Sequence, residues 1–235
     1  MAEPSRSSKK GICAYCGSSG ILTKDHVPPK NLFPAPRPSN LVSVPACKTC
    51  HGNTSKDDEY FRLKISMRDG IGSNPAARAT WSRAFYSLSR SQATGLRTRF
   101  LSDLRYVNLK TPSGLYVGRR LGYDVDMNRI RSVVGRIVRG LYFAESGKPL
   151  GLNNEVRVYT DEDLAEQSVE VIQELKQTIL NPLASLPPRI IGHDIFLYRY
   201  QIMKGNPFIS VWGMSFFGHV LFLAITAPTT DRIVL

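Results

Sequence analysis

All four cysteines of the chain fall in two pairs, Cys13-x2-Cys16 and Cys47-x2-Cys50. A thiolate is a soft donor, and two intervening residues bend the backbone so that both sulfurs reach one ion. Two such knuckles close a four-sulfur site. Its natural occupant is a tetrahedral zinc ion (Zn2+) with no open position, and so a structural metal. Residues of a different kind stand around the pairs: Asp25-His26 between them, Asn40 before the second, and His51 directly after the last cysteine. A carboxylate beside imidazoles suits a harder divalent ion, and an imidazole can take a proton from water. Phosphodiester hydrolysis needs both: a cation on the phosphate oxygens and a base for the attacking water. Asp25, His26 and His51 could supply them.

Local elements must bring these residues together. The pattern predicts a strand over 21–27, stopped by Pro28-Pro29. Consecutive strand residues face opposite ways, so Asp25 and His26 can share a site only where the strand ends or twists. Pro34, Pro36 and Pro38 make 30–39 an irregular loop. A second strand over 40–45 leads into the second knuckle. Ser55, with Asp58 three residues on, reads as a capping box. Asp57, Asp58 and Glu59 crowd the first turn of a helix expected to run to about Met67. A unit this small cannot fold on apolar burial alone, and zinc would supply the missing stability.

The expected organisation is a disordered basic tail over 1–10, a metal module over 11–67, a linker over 68–75 and a second α+β domain over 76–235. In that domain helices are predicted over 76–90 and 94–105. A hairpin follows, with strands 106–110 and 115–121 around Thr111-Pro-Ser-Gly114. The strongest helix spans 127–143, where Ile130, Val133, Val134, Ile137, Val138 and Leu141 recur at helical spacing. Another helix is read over 161–180. Strands over 195–203, 208–217 and 219–226 would close the chain as an antiparallel β-meander. His193 and His219 read as structural residues of that region, and Trp81, Phe85 and Tyr86 as core.

Formal net charge is +12, which points to a polyanionic partner. Residues 67–158 carry 16 Lys+Arg against 6 Asp+Glu, and 14 of those cations are arginine, whose planar fork suits phosphate. Arg97, Arg99, Arg119 and Arg120, with Lys30 and Lys56 beside the metal module, are the candidate nucleic-acid contacts. Gly205–Thr230 contains no charged residue. Its alternation and turn glycines nevertheless favour buried strands over a membrane helix, so no membrane partner is expected. Paired knuckle cysteines and an N-terminus without an apolar signal core suggest a reducing, cytoplasmic location.

The order Cys-x2-Cys, Asp-His, Asn-Leu-Val, Cys-x2-Cys-His over residues 11–67 resembles the HNH endonuclease family in its zinc-stapled form. That resemblance implies a ββα-metal fold, two strands and a helix gripping one divalent ion, magnesium or manganese (Mg2+ or Mn2+). It implies roles residue by residue. Asp25 is similar to the first metal ligand, His26 to the general base, Asn40 to the asparagine bracing the base's loop, and His51 to the second metal ligand. The family's basic residue three positions beyond His51 is replaced by Thr54, and Asn53 could substitute for His51 as ligand. The proline-rich loop replaces the family's usual glycine pair. The string Ser55–Phe61 resembles that of prokaryotic HNH proteins. The implied activity is metal-dependent hydrolysis of nucleic acid, with DNA the favoured polymer. One module holds one active site, so a double-strand cut would need a homodimer or a protein partner. Two other readings use the same residues: a non-catalytic zinc-finger nucleic-acid-binding protein, and an HNH effector whose C-terminal domain senses or docks a partner.

Overall fold

The structure is a computed structural model, and it describes residues 9–230 apart from 53, 69 and 112. Three strands open the chain: β1 (Lys9–Ile12), β2 (Ser19–His26) and β3 (Ser43–Cys47), antiparallel in the order β1-β2-β3. Helices α1 (Lys48–Gly52) and α2 (Ser55–Ile65) follow, then α3 (Pro75–Leu88) and α4 (Thr94–Ser102). A two-stranded ribbon, β4 (Leu104–Lys110) and β5 (Tyr116–Tyr123), precedes the long helix α5 (Met127–Ser146). Strand β6 (Asn154–Thr160) leads through α6 (Asp161–Ala165), α7 (Val169–Leu175) and α8 (Asn181–Ala184) to the final strands. These are β7 (Arg189–Ile191), β8 (Phe196–Ile202), β9 (Ser210–Phe216) and β10 (Val220–Pro228). With β6 they form an antiparallel sheet ordered β6-β10-β9-β8-β7. The chain is therefore α+β. No helix among the described residues is long and apolar enough to cross a membrane.

Helix α5 organises the whole. The Asp126 carboxylate accepts from the Arg129 N–H at its start, and Gly147, at φ 73°, ends it in the left-handed region where a glycine costs least. Its predicted apolar stripe is buried from Ile130 to Leu141. It packs against β3 and α2 on the N-terminal side and against β6 and β10 on the other. At Gly140 a Cβ would stand 2.5 Å from Val27 Cγ2, so the missing side chain is what lets the end of β2 sit on the helix. One hydrophobic core includes Cys13, Val27, Phe61, Ile137, Phe216 and Phe222. The Phe61 ring meets Phe216 edge-on at 5.4 Å. Residues 11–67 are thus packed into the rest of the protein. Within 68–75, Ile71 is buried in a 3-10 turn.

Several expectations need correction. Lys9 and Lys10, expected in the tail, belong to β1 through pairing with Leu22 and Ile21; residues 1–8 lie outside the described residues. The capping box at Ser55 does not form. Thr54 occupies the N-cap, and the Asp58 carboxylate is drawn away by an arginine of α5. The helix read over 161–180 is broken, because Ser168 caps a new helix by accepting from the Val171 N–H, and one π-helical turn separates α7 from α8. Strand β6 was not anticipated, although it is a full partner of β10. Phe85 and Tyr86 are exposed on α3. His193 and His219 sit in exposed turns, outside the strands.

The arginine-rich middle of the chain is partly consumed inside the protein. Arg129 pairs with Asp57, and Arg136 with Asp25 and Asp58, all in the N-terminal region. Arg68 and Arg131 pair with Asp161, Glu162 and Asp163 of the acidic C-terminal third. Arg139 donates to the carbonyls of Gly151 and Asn154. Much of the uneven charge along the sequence joins segments distant in the chain.

Candidate functional site

The two knuckles meet. The ligating sulfurs of Cys13, Cys16, Cys47 and Cys50 all lie within 4.8 Å of one another, the one cluster of three or more metal-ligating side chains that close among the described residues. Cys16 Sγ and Cys47 Sγ are 3.9 Å apart. Four sulfurs at about 2.3 Å from a tetrahedral zinc would sit about 3.8 Å from one another, so the cluster fits that ion. Local backbone explains the fit. Gly17, at φ 74°, turns the first knuckle, and its N–H donates to Cys13 O at 2.9 Å. The N–H groups of Cys47 and Cys50 point at Cys13 Sγ (3.4 Å) and Cys47 Sγ (3.5 Å), donors that favour thiolates. The four thiols share their protons: the contact with Ser18 lowers the Cys16 thiol, while burial and the neighbouring cysteines raise the Cys50 thiol.

A second constellation lies along β2, in a cleft of about 730 Å³ lined by Thr23, Asp25, His26, Lys30, Asn31, His51 and Asp58 among others. Asp25 and His26 are the last residues of β2 and share the cleft because the strand ends there. Asp25 is buried, and its two oxygens have separate partners. Oδ2 accepts from the Tyr15 hydroxyl at 2.8 Å and from Arg136 at 3.0 Å. Oδ1 accepts from the His26 N–H at 2.9 Å and lies 3.7 Å from His51 Nε2. Burial and the neighbouring carboxylate push the Tyr15 phenol well above its ordinary range, so it stays a donor.

Thr23 sets the orientation of His51. Its hydroxyl has one proton, donated to Ala46 O at 3.2 Å, and its oxygen lies 2.7 Å from His51 Nδ1. In the tautomer protonated at Nδ1 that oxygen accepts from Nδ1–H, and Nε2, the nitrogen facing Asp25, keeps its lone pair; in the other tautomer Nε2–H faces the carboxylate. Two donor atoms each about 2.1 Å from one divalent ion can be at most about 4.2 Å apart, and Asp25 Oδ1 and His51 Nε2 satisfy that limit. Partial burial and the cations Lys30 and Lys24 lower the His26 imidazole, favouring the neutral ring with one nitrogen available as a base. Asp58 is raised to about 6 by burial, against the pull of Arg136, with which it forms an ion pair.

The structure brings Asp25, His26, His51 and Lys30 to one cleft. It takes Asn40 elsewhere: the Asn40 amide donates to Ile190 O at 2.9 Å and accepts from the Gly192 N–H at 3.4 Å, fastening the β2–β3 loop to the C-terminal sheet. Asn53 lies outside the described residues. Lys56 is exposed on the first turn of α2. Arg97 donates to Leu88 O and Arg99 pairs with Asp126, so both help close the fold around α4. Arg119 and Arg120 are exposed on the ribbon. Thr23, Tyr15, Asp58 and Arg136 complete the cleft without having been singled out for it in the sequence. Arg136 carries no local signal, because it stands 111 residues from Asp25. A larger groove of about 840 Å³, beside β1 and the end of α5, holds none of Asp25, His26 or His51. No protein-family model, curated protein or solved structure matches the chain.

Proposed function

We propose that the chain is a metal-dependent HNH-type endonuclease that hydrolyses phosphodiester bonds of nucleic acid, with DNA the favoured polymer. The observation that carries this reading is the pair formed by Asp25 Oδ1 and His51 Nε2. The two atoms stand 3.7 Å apart on the wall of an open cleft, close enough for one divalent cation to take both. Beside them, β2 and β3 are followed by α1 and α2, two strands and then helix, which supports a comparison with the ββα-metal finger. A magnesium-class ion held there would supply charge stabilisation at the phosphate and at the departing oxygen.

The chain's own residues do the rest. Tyr15 and Arg136 hold the Asp25 carboxylate, and Thr23 holds the His51 ring. His26, in the same cleft, takes the proton of the attacking water, and its lowered basicity keeps it deprotonated near neutral pH. Lys30 at the cleft's edge attracts the phosphate backbone. The four-cysteine zinc stays outside the chemistry and fixes the ends of β1, β2 and β3. The test is nicking of supercoiled plasmid with magnesium or manganese, alongside single-stranded DNA and RNA. Wild type should nick and His26→Ala should lose at least about 100-fold in rate. Equal nicking by the two proteins would overturn the reading. Retention of zinc alone, with no second ion lost on Asp25→Ala, would leave a nucleic-acid-binding protein without catalysis.

A further inference from the structure

The ribbon β4–β5 pairs with no other strand among the described residues. A lone two-stranded ribbon is marginal in water, so its root needs an anchor and its length needs a reason. Lys64 of α2 is the anchor. Its side chain is 2% exposed, and Nζ donates to Asp103 Oδ2 at 2.8 Å and to Asp124 O at 2.7 Å. Asp103 precedes β4 and Asp124 follows β5, so one buried ammonium ties both ends of the ribbon to the helix. The rings of Tyr60, Phe100 and Tyr123 surround it. The Tyr123 hydroxyl donates back to Lys64 O at 3.2 Å.

Beyond that root the ribbon presents apolar and cationic side chains to solvent. Tyr106 is 68% exposed, Leu121 58% and Tyr116 55%. The register sets Tyr106 opposite Leu121 and Asn108 opposite Arg119, on one face. The Arg119 guanidinium lies over the Tyr106 ring, 4.9 Å from its centre. Residues 104–123 include Arg105, Lys110, Arg119 and Arg120 and no Asp or Glu. Contiguous exposed apolar groups call for a partner; Arg105 is paired with Asp124 at the root, and the cationic surplus of the rest of the ribbon, which carries Lys110, Arg119 and Arg120 and no carboxylate, selects a polyanion.

The geometry points to the β4–β5 ribbon as a docking arm that enters the major groove of duplex DNA, apart from the cleft. A two-stranded antiparallel ribbon fits that groove. Lys110, Arg119 and Arg120 would meet phosphates and base edges, and Tyr106 and Tyr116 the groove's apolar surface. The arm and the cleft share α2. Asp58 in the cleft and Lys64 at the arm's root are six residues apart, about 9 Å along the helix. A seven-residue strand carries the arm about 23 Å further. Both could engage one duplex within about a helical turn. The inference rests on the nuclease reading only for the identity of the polymer; binding by the arm does not need cleavage.

The test uses the full-length, zinc-loaded chain without added magnesium and a fluorescent duplex, read by anisotropy over a salt series. Lys110→Glu/Arg119→Glu/Arg120→Glu should raise Kd at least about tenfold and reduce the salt slope by about 2–3, roughly one per lost phosphate contact. Tyr106→Ala should weaken binding with the salt slope unchanged. Both variants should keep wild-type zinc content and melting temperature, since the changed side chains are exposed. A triple variant that binds as tightly as wild type overturns the inference. So does a wild type that ignores duplex but sediments as a dimer that the triple variant dissociates. His26→Ala separates the two proposals: duplex bound as by wild type with nicking lost supports both. A wild type that binds through the arm and nicks nothing sinks the nuclease alone.

Discussion

The four-cysteine cluster and the Asp25–His51 pair lie within the same 40 residues, and they are built on opposite principles. The four-cysteine corner is closed in its donor set: its sulfurs are mutually within 4.8 Å, Cys13 is fully buried with the other three partly so, and backbone N–H groups point inward at the sulfurs. The Asp25–His51 pair is open. The His51 side chain is 40% exposed, and only one oxygen of Asp25 is left facing it across the cleft. The closed site spends all its donors on the ion and can only hold. The open one, on the proposed reading, keeps donors in hand for an exchangeable second ion. Removing a ligand should therefore act on stability at the first and on chemistry at the second.

The largest effect should come from breaking the corner. Structural zinc contributes roughly 10–16 kcal/mol in small zinc-folded units, as much as a whole domain's net stability. Cys47→Ser should lose zinc and unfold β1–β3. Because Cys13 belongs to the same core as Phe216 and Phe222, the loss should spread to the C-terminal sheet. Circular dichroism with zinc analysis checks this. A variant that loses zinc yet melts within a few degrees of wild type would show that the shared core carries the N-terminal strands without the metal.

Next is the ion network that joins the open site to α5. Arg136→Met would leave the buried carboxylate of Asp25 and the half-buried one of Asp58 without their common cation, a loss of about 3–5 kcal/mol. The sign of its pH dependence follows from Asp58. Its folded value of about 6 lies above the unfolded value of about 3.9, so ionisation opposes folding. The cost is absent below about pH 4, grows through the window to about 6 and is complete above it. In the variant that window should widen upward, so urea midpoints should recover more than those of wild type between pH 7 and pH 5. A pH-independent deficit would mean that lost packing, not charge, is responsible.

Asn40 sharpens the comparison from a third position. Its contacts with Ile190 and Gly192 make it a fastener between distant parts of the chain. Asn40→Ala should cost about 0.5–1.5 kcal/mol in urea unfolding and leave nicking within about twofold of wild type. A tenfold fall in nicking at unchanged stability would return Asn40 to the role that the family resemblance implies.

What could be read in the sequence divides along the same line as the two clusters. The knuckles were legible because C-x2-C is a local device. That Asp25, His26 and His51 would come to one cleft was legible because a strand end and a helix start flank the knuckles. Helix α5 was legible because its stripe buries one face along its whole length. The rest depends on contacts far apart in the chain. Nothing near Arg136 distinguishes it from Arg129 or Arg131, yet it alone reaches Asp25. Asn40 meets its partners about 150 residues on. Strand β6 is defined by β10, and the helix read over 161–180 breaks at Ser168, whose capping bond outweighs the continuing apolar spacing. Thr23 could have been suspected only once β2 and β3 were placed in register, opposite Ala46.

His26 should show the smallest effect on stability and the largest gap between stability and chemistry. Its ring is only partly buried, and no ring hydrogen bond ties it to the core among the described residues; the bond it makes to Asp25 comes from the backbone and survives the change to alanine. His26→Ala should shift the unfolding free energy by less than about 0.5 kcal/mol. Zinc should remain at one ion per chain, and the Asp25–His51 pair should keep its affinity for manganese, because neither ligand is touched. Nicking should nonetheless fall by at least about 100-fold, the contribution of a positioned base. The comparison breaks if His26→Ala also loses manganese, since His26 would then be a ligand and the open site a three-donor centre. It sharpens if manganese binding is unchanged, because catalysis would then be removed from a cleft whose fold and metal are both intact.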